Sequence, residues 1–173
     1  MENSYYEFTV PMFVNTLGGL KNVLKKGEEH AKATGKSDEN MLALRLAPDM
    51  FPLVKQVQIA SDNAKGAAAR LAGATAPKME DTEKTFAELY ARIDTTIAFL
   101  ETLSADDFAA AAERTIKLPY TPEGMHYTGD GYARFYAIPN FLFHAVTAYD
   151  ILRANGVLIG KADFAGILPL VKD

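Results

Sequence analysis

A chain of 173 residues that is 49% hydrophobic and 23% charged has the makeup of one ordinary globular domain, read here as residues 1–173. The net charge is −4 and the sequence pI is near 5.4. Lys25 and Lys26, the densest basic spot, are followed at once by Glu28 and Glu29, so no nucleic-acid partner is expected. Cysteine is absent, which excludes a disulfide framework, thiolate metal ligands and a cysteine nucleophile.

The opening MENSYYEFTVPMF has no basic segment leading into an apolar one, so it does not read as a signal peptide. No apolar run approaches the roughly 20 residues needed to cross a bilayer. A cytoplasmic protein with no membrane partner is the expectation. From about residue 10 to 34, Phe13, Leu17, Leu20 and Leu24 recur at helical spacing, with Pro11 in the first turn and Gly35 as the stop. Gly18-Gly19 inside that pattern is tolerated where a neighbour packs very close. A short helix is expected over Glu39–Leu46. A second long one is expected from an Asp49 N-cap to Gly73, its core stripe being Leu53, Val57, Ala60, Ala64, Ala68 and Leu71.

The third helix opens on a capping box, Thr85 to Glu88, and buries Phe86, Leu89, Ile93, Ile97 and Leu100. Ser104 to Asp107 caps a short turn. Alternation over Arg114–Leu118 and Met125–Thr128 then predicts a small hairpin, with His126 as a surface residue. The final helix runs from Thr128-Gly-Asp130 to Asn155. Pro139 lies in its interior, where it removes a backbone donor and clashes with the Phe135 carbonyl, so a bend is expected just before Asn140. The apolar tail after Val157 must pack on the bundle or on a second subunit.

Asn140 and His144 are one turn apart in the most apolar segment of the chain, PNFLFHAVTAYDILRANG. That run, with Gln58-Ile-Ala-Ser-Asp62 and Ala69-Arg-Leu-Ala-Gly73, resembles the last and second helices of the DinB/YfiT-like superfamily. It is similar in particular to an uncharacterised bacterial branch, over nearly the whole chain, including the Gly160, Lys161, Asp163, Phe164 and Gly166 tail. The resemblance implies an all-α fold: an up-down-down-up four-helix bundle with a small β-hairpin before the last helix, frequently a homodimer. Typical members hold a divalent metal on one histidine of the second helix and two of the last. The matching positions here are Gln58, Asn140 and His144. Only one imidazole remains, so a zinc or nickel ion is expected to be weakly held unless Asp62 or Asp49 adds an anionic ligand.

Two functions stay open on the sequence. In one, Gln58, Asn140 and His144, helped by Tyr149 or Thr147, form a satisfied polar network in a non-catalytic bundle that binds a small molecule. In the other, the chain is an enzyme of the thiol-dependent transferase or isomerase type that resemblance to the superfamily implies. His144 is then the base or a remaining ligand, oriented by Asp62, with Gln58, Asn140, Tyr136 and Tyr149 around the substrate. The aromatic face Phe135, Phe141 and Phe143 is a candidate dimer surface under either reading.

Overall fold

The computed structural model describes residues 4–171. Its long helices are Val10–Thr34, Leu53–Ala72, Phe86–Leu100, and a last element in which Gly129–Tyr132, the π-helical Ala133–Ala137 and Ile138–Ala154 follow one another directly. Short helical pieces fill the connections at Ser4–Glu7, Asp38–Leu42, Ala105–Phe108, Ala111–Glu113 and Lys161–Phe164.

Side-chain pairs fix the direction of each helix. Lys21 meets Asp94 and Glu28 meets Tyr90, so the first and third helices are antiparallel. Gln58 meets Glu83 and Asp62 meets Arg92, so the second and third run parallel. Gln56 meets His144 and Arg70 meets Tyr132, so the second and last are antiparallel. Phe13 packs edge-on against Phe141, and Gly27 lies against Leu152, so the first and last are parallel. The result is the expected up-down-down-up bundle. The first and second helices each pack against the third and the last.

The alanine-rich stripe of the second helix explains how closely these helices approach. Leu53, Val57, Ala60, Ala64, Ala68 and Leu71 are all fully buried. Burial of that kind stabilises by about 25 cal/mol per Å² of apolar surface, with small side chains keeping the axes near. The third helix carries its capping box as expected: the Thr85 hydroxyl accepts from the Glu88 amide, while the Glu88 carboxylate accepts from the Thr85 amide. Gly35 and Gly73, both left-handed, stop the first and second helices.

Two starts and stops differ from expectation. The short helix ends at Leu42 rather than Leu46, and the second long helix begins at Leu53 with Pro52, not Asp49, as its N-cap. Pro52 itself is extended (φ −70°, ψ 165°) and has no N–H to donate, so the helix begins only after it. Asp49 instead lies in a turn closed by the Met50 amide on the Ala47 carbonyl, and the Leu53 amide reaches back to the Leu44 carbonyl at 2.8 Å.

The hairpin is present as β1 (Thr115–Ile116) paired antiparallel with β2 (Tyr127–Thr128), and His126 beside it is exposed. The Thr128 hydroxyl then caps the last helix by accepting from the Gly131 amide. The disturbance at Pro139 takes the form of a widened turn. The Ile138 amide bonds five residues back, to the Ala133 carbonyl, immediately before the proline that has no amide to offer.

After the last helix the chain returns across the first. Asn15 holds the Ala165 carbonyl and the Ile167 amide, and Asn22 holds the Asp163 carbonyl. A Cβ on Gly19 would lie 1.9 Å from the Phe164 carbonyl oxygen, which is why glycine stands there. Beyond Gly166 the apolar residues Ile167, Leu168, Leu170 and Val171 are exposed. The expected aromatic face divides: Phe141 is wholly buried in the core, whereas Phe135 and Phe143 are exposed beside Leu142 and Val146. Among the described residues no helix is long and apolar enough to cross a membrane.

Candidate functional site

The second helix carries polar side chains on two sides, and they serve different neighbours. Toward the third helix, Arg92 is buried and extends its guanidinium to Asp62 (2.7 Å), Asp81 (3.0 Å) and Glu83 (2.8 Å), with a further bond to the Glu80 carbonyl. Burial works against the Arg92 charge, but the Glu83 hydrogen bond and the three carboxylates hold its pKa above the ordinary guanidinium value. Lys65 adds a second cation to Asp62, and Lys55 adds one to Asp81. Gln58 points to this side and donates to Glu83 at 2.8 Å.

Gln58 therefore does not join Asn140 and His144. The partner of His144 is Gln56, whose carboxamide oxygen lies 2.7 Å from the imidazole Nδ1. Two residues along a helix turn a side chain by about 200°, enough to move it from the last helix to the third. The Gln56 nitrogen donates to the Phe51 carbonyl at 3.1 Å, which leaves its oxygen facing the ring. That fixes the tautomer with the proton on Nδ1, and Nε2 makes no hydrogen bond among the described residues. Burial lowers the His144 pKa, so the ring is neutral at pH 7. No carboxylate orients it: Asp62 is engaged by Arg92 and Lys65 instead.

One turn earlier, Asn140 faces a cavity of about 210 Å³ between the second and last helices, roofed by the loop after β1. The spacing of Ile59, Asp62, Asn63 and Arg70 places one wall along the second helix, and Tyr132, Tyr136 and Asn140 form the facing wall. Leu118, Pro119 and Tyr120 close it from the hairpin side. Tyr132 and Tyr136 are stacked at 5.7 Å between centroids across the widened turn, and Tyr127 packs on both. The Tyr120 and Tyr136 hydroxyls pair with each other. Burial raises the Tyr132 pKa, and burial together with the Tyr136 hydroxyl raises that of Tyr120, so these phenols stay protonated at neutral pH.

Two polar groups of this cavity have no protein partner among the described residues. The Asn63 Oδ1 is buried without a hydrogen bond, and the Asn140 carboxamide makes none among the described residues. The expected site residues Asp62, Tyr136 and Asn140 thus share one cavity. His144 and Gln58 do not line it, and Tyr149 packs on Phe164 at 5.7 Å, away from it. Gln56, Asn63, Arg70, Tyr120 and Tyr132 escaped the sequence reading. For Asn63 and Arg70 a signal existed, since 59, 63, 66 and 70 recur on one helical face.

These donors do not fit a divalent transition metal. The position facing His144 is an amide whose oxygen already accepts the Nδ1 proton, and Asn140 adds only a second weak neutral donor. Among the described residues no three His, Cys, Asp or Glu side chains are grouped closely enough to hold a metal ion.

Comparison with known proteins follows the fold. The family model described as a domain of unknown function, DUF1993, matches residues 5–165. Curated proteins give no match. The crystal structure of a DinB family member protein from Shewanella denitrificans is 42% identical, superposes with a TM-score of 0.94, and the match covers 99% of this chain and 97% of that one.

Proposed function

The chain belongs to the DUF1993 family of DinB-like bundles, and on that premise we propose that it binds a small organic molecule without a resident metal. The observation that carries this reading is the cavity of about 210 Å³ in which Asp62, Asn63, Tyr136 and Asn140 meet. The Asn140 carboxamide is partly exposed and makes no hydrogen bond among the described residues, so it is a group that a ligand in the cavity can bond. An apolar cavity of about 150 Å³ accommodates benzene, so this one suits a molecule of about one substituted ring.

A thermal-shift screen of small ring compounds tests the proposal. Saturation at 100 times Kd adds about 2.7 kcal/mol of apparent stability. The gain is expected in the wild type and should fall sharply in Asn140→Leu, which removes the amide and leaves an apolar side chain of similar size. A gain unchanged in Asn140→Leu would contradict the assignment.

A second reading is favoured by one observation. Gln56 presents His144 as a neutral imidazole with Nε2 bare, the form that accepts a proton. Under that reading the chain is a histidine-dependent transferase or isomerase acting at His144, outside the cavity, and His144→Gln should abolish turnover while leaving ligand binding in the cavity intact. The exposed stripe of Phe135, Leu142, Phe143 and Val146 supports an isologous homodimer. Light scattering at micromolar concentration would show a monomer if that is wrong.

A further inference from the structure

The charges around the cavity are unevenly matched. Its one acidic wall residue, Asp62, has Arg92 at 2.7 Å and Lys65 at 2.8 Å from the same carboxylate oxygen. Its one basic wall residue, Arg70, has no carboxylate partner among the described residues. The guanidinium donates through Nη1 to the Tyr132 hydroxyl at 3.2 Å and lies 6.0 Å from the Tyr132 ring centroid. Arg70 is exposed, and its remaining N–H groups face solvent at the cavity mouth. An arginine fork presents paired donors that match the two oxygens of a carboxylate.

Gly66, one turn before Arg70, supplies an independent observation. A Cβ there would come within 2.7 Å of Nη1, so the guanidinium lies back along the helix over Gly66, and an alanine would push this flexible end aside. Glycine in the middle of a helix costs about 1 kcal/mol relative to alanine. The second helix bears that cost at a buried position where its neighbours Ala64, Ala67, Ala68 and Ala69 are all alanine.

The rest of the cavity favours a flat ring. Tyr132 is buried with its plane 20° from parallel to that of Tyr136, and the exposed Tyr120 leans on Tyr136 at 6.1 Å. Aromatic faces of this kind pack best on another ring. The Asn140 and Asn63 amides lie two turns along the last and second helices from the Tyr132 and Arg70 pair, at the far end of the cavity.

Resting on the reading of this cavity as a binding site, we infer that its ligand is a small aromatic carboxylate, with the carboxylate on the Arg70 fork and the ring against the accessible Tyr120 and Tyr136. The proposal is tested on the full chain with two probes of one shape, benzoate and benzamide, followed by tyrosine NMR shifts. Benzoate is expected to bind about threefold tighter than benzamide, the gain of one charge contact at a solvent-exposed arginine. Arg70→Gln should erase that difference and leave benzamide binding as it was. Gly66→Ala should weaken benzoate binding alone, with melting temperature equal to or above wild type. Equal binding of the two probes by the wild-type chain would overturn the carboxylate assignment and leave the cavity standing. If neither probe moves the Tyr120 and Tyr136 signals, the cavity reading fails and the carboxylate goes with it.

Discussion

The two polar sides of the second helix make opposite use of similar residues. On the side of the third helix, Arg92, Lys55 and Lys65 face Asp62, Asp81 and Glu83, and Gln58 is tied in by Glu83. On the side of the last helix, Arg70 lacks a carboxylate, and Asn63 and Asn140 lack partners. Matched charges hold the connection Gly73–Thr85 to the bundle, whereas unmatched donors around an open volume are available to a ligand. Unpaired polar atoms alone do not mark a site, since Ser61 Oγ and Arg92 Nε also lack partners among the described residues; polar groups around an open volume do.

The largest effect should come from breaking the matched side. Arg92→Leu leaves Asp62, Asp81 and Glu83 facing one another across a partly buried space and should cost about 3 kcal/mol or more in urea unfolding. A loss below about 1 kcal/mol would mean that the cluster is not structural. Gln56→Ala strands the His144 Nδ1 proton in a buried position and should cost about 2 kcal/mol.

Protonation of His144 sharpens the same contrast. Its folded-state pKa lies below the unfolded value of about 6.5, so the unfolded chain takes up the proton more readily. The stability it contributes is complete above about pH 6.5 and declines as pH falls toward the lowered value. Urea midpoints at pH 7.5 and 5.5 should therefore differ, and His144→Gln should reduce the difference. An undiminished difference would assign the titration to another group. On the cavity side the effects are smaller: Gly66→Ala should gain up to about 1 kcal/mol, and Tyr136→Phe should change stability by less than about 0.5 kcal/mol. A large loss in Tyr136→Phe would make the tyrosine cluster a structural device like that of Arg92.

The bundle was legible because its signals are local. Helical spacing of Phe13, Leu17, Leu20 and Leu24, the Thr85–Glu88 capping box and the Gly35 and Gly73 stops each determine one element without help from the others. Helical phase at the site was not. Gln56 and Gln58 are both buried, so hydrophobic patterning does not say which of them faces the last helix. Only the packing of the second helix between two neighbours separates them. Pro139 announced a disturbance, but the five-residue reach from Ile138 to Ala133 depends on what that widened turn packs against. Asn140 and His144 do lie one turn apart, as their spacing requires. They address different partners because the cavity ends between them.

The central claim is that the tyrosine-lined cavity, not the matched side of the second helix, is where this protein meets a ligand. The chain has eight tyrosines, four of them at the cavity (Tyr120, Tyr127, Tyr132 and Tyr136) and four elsewhere (Tyr5, Tyr6, Tyr90 and Tyr149). Fluorine NMR of protein labelled with 3-fluorotyrosine reads both groups in one spectrum during a titration with small ring compounds. The account predicts that bound compounds shift the cavity signals and leave Tyr90, held by Glu28, in place. Shifts confined to Tyr5, Tyr6, Tyr90 or Tyr149 would contradict it.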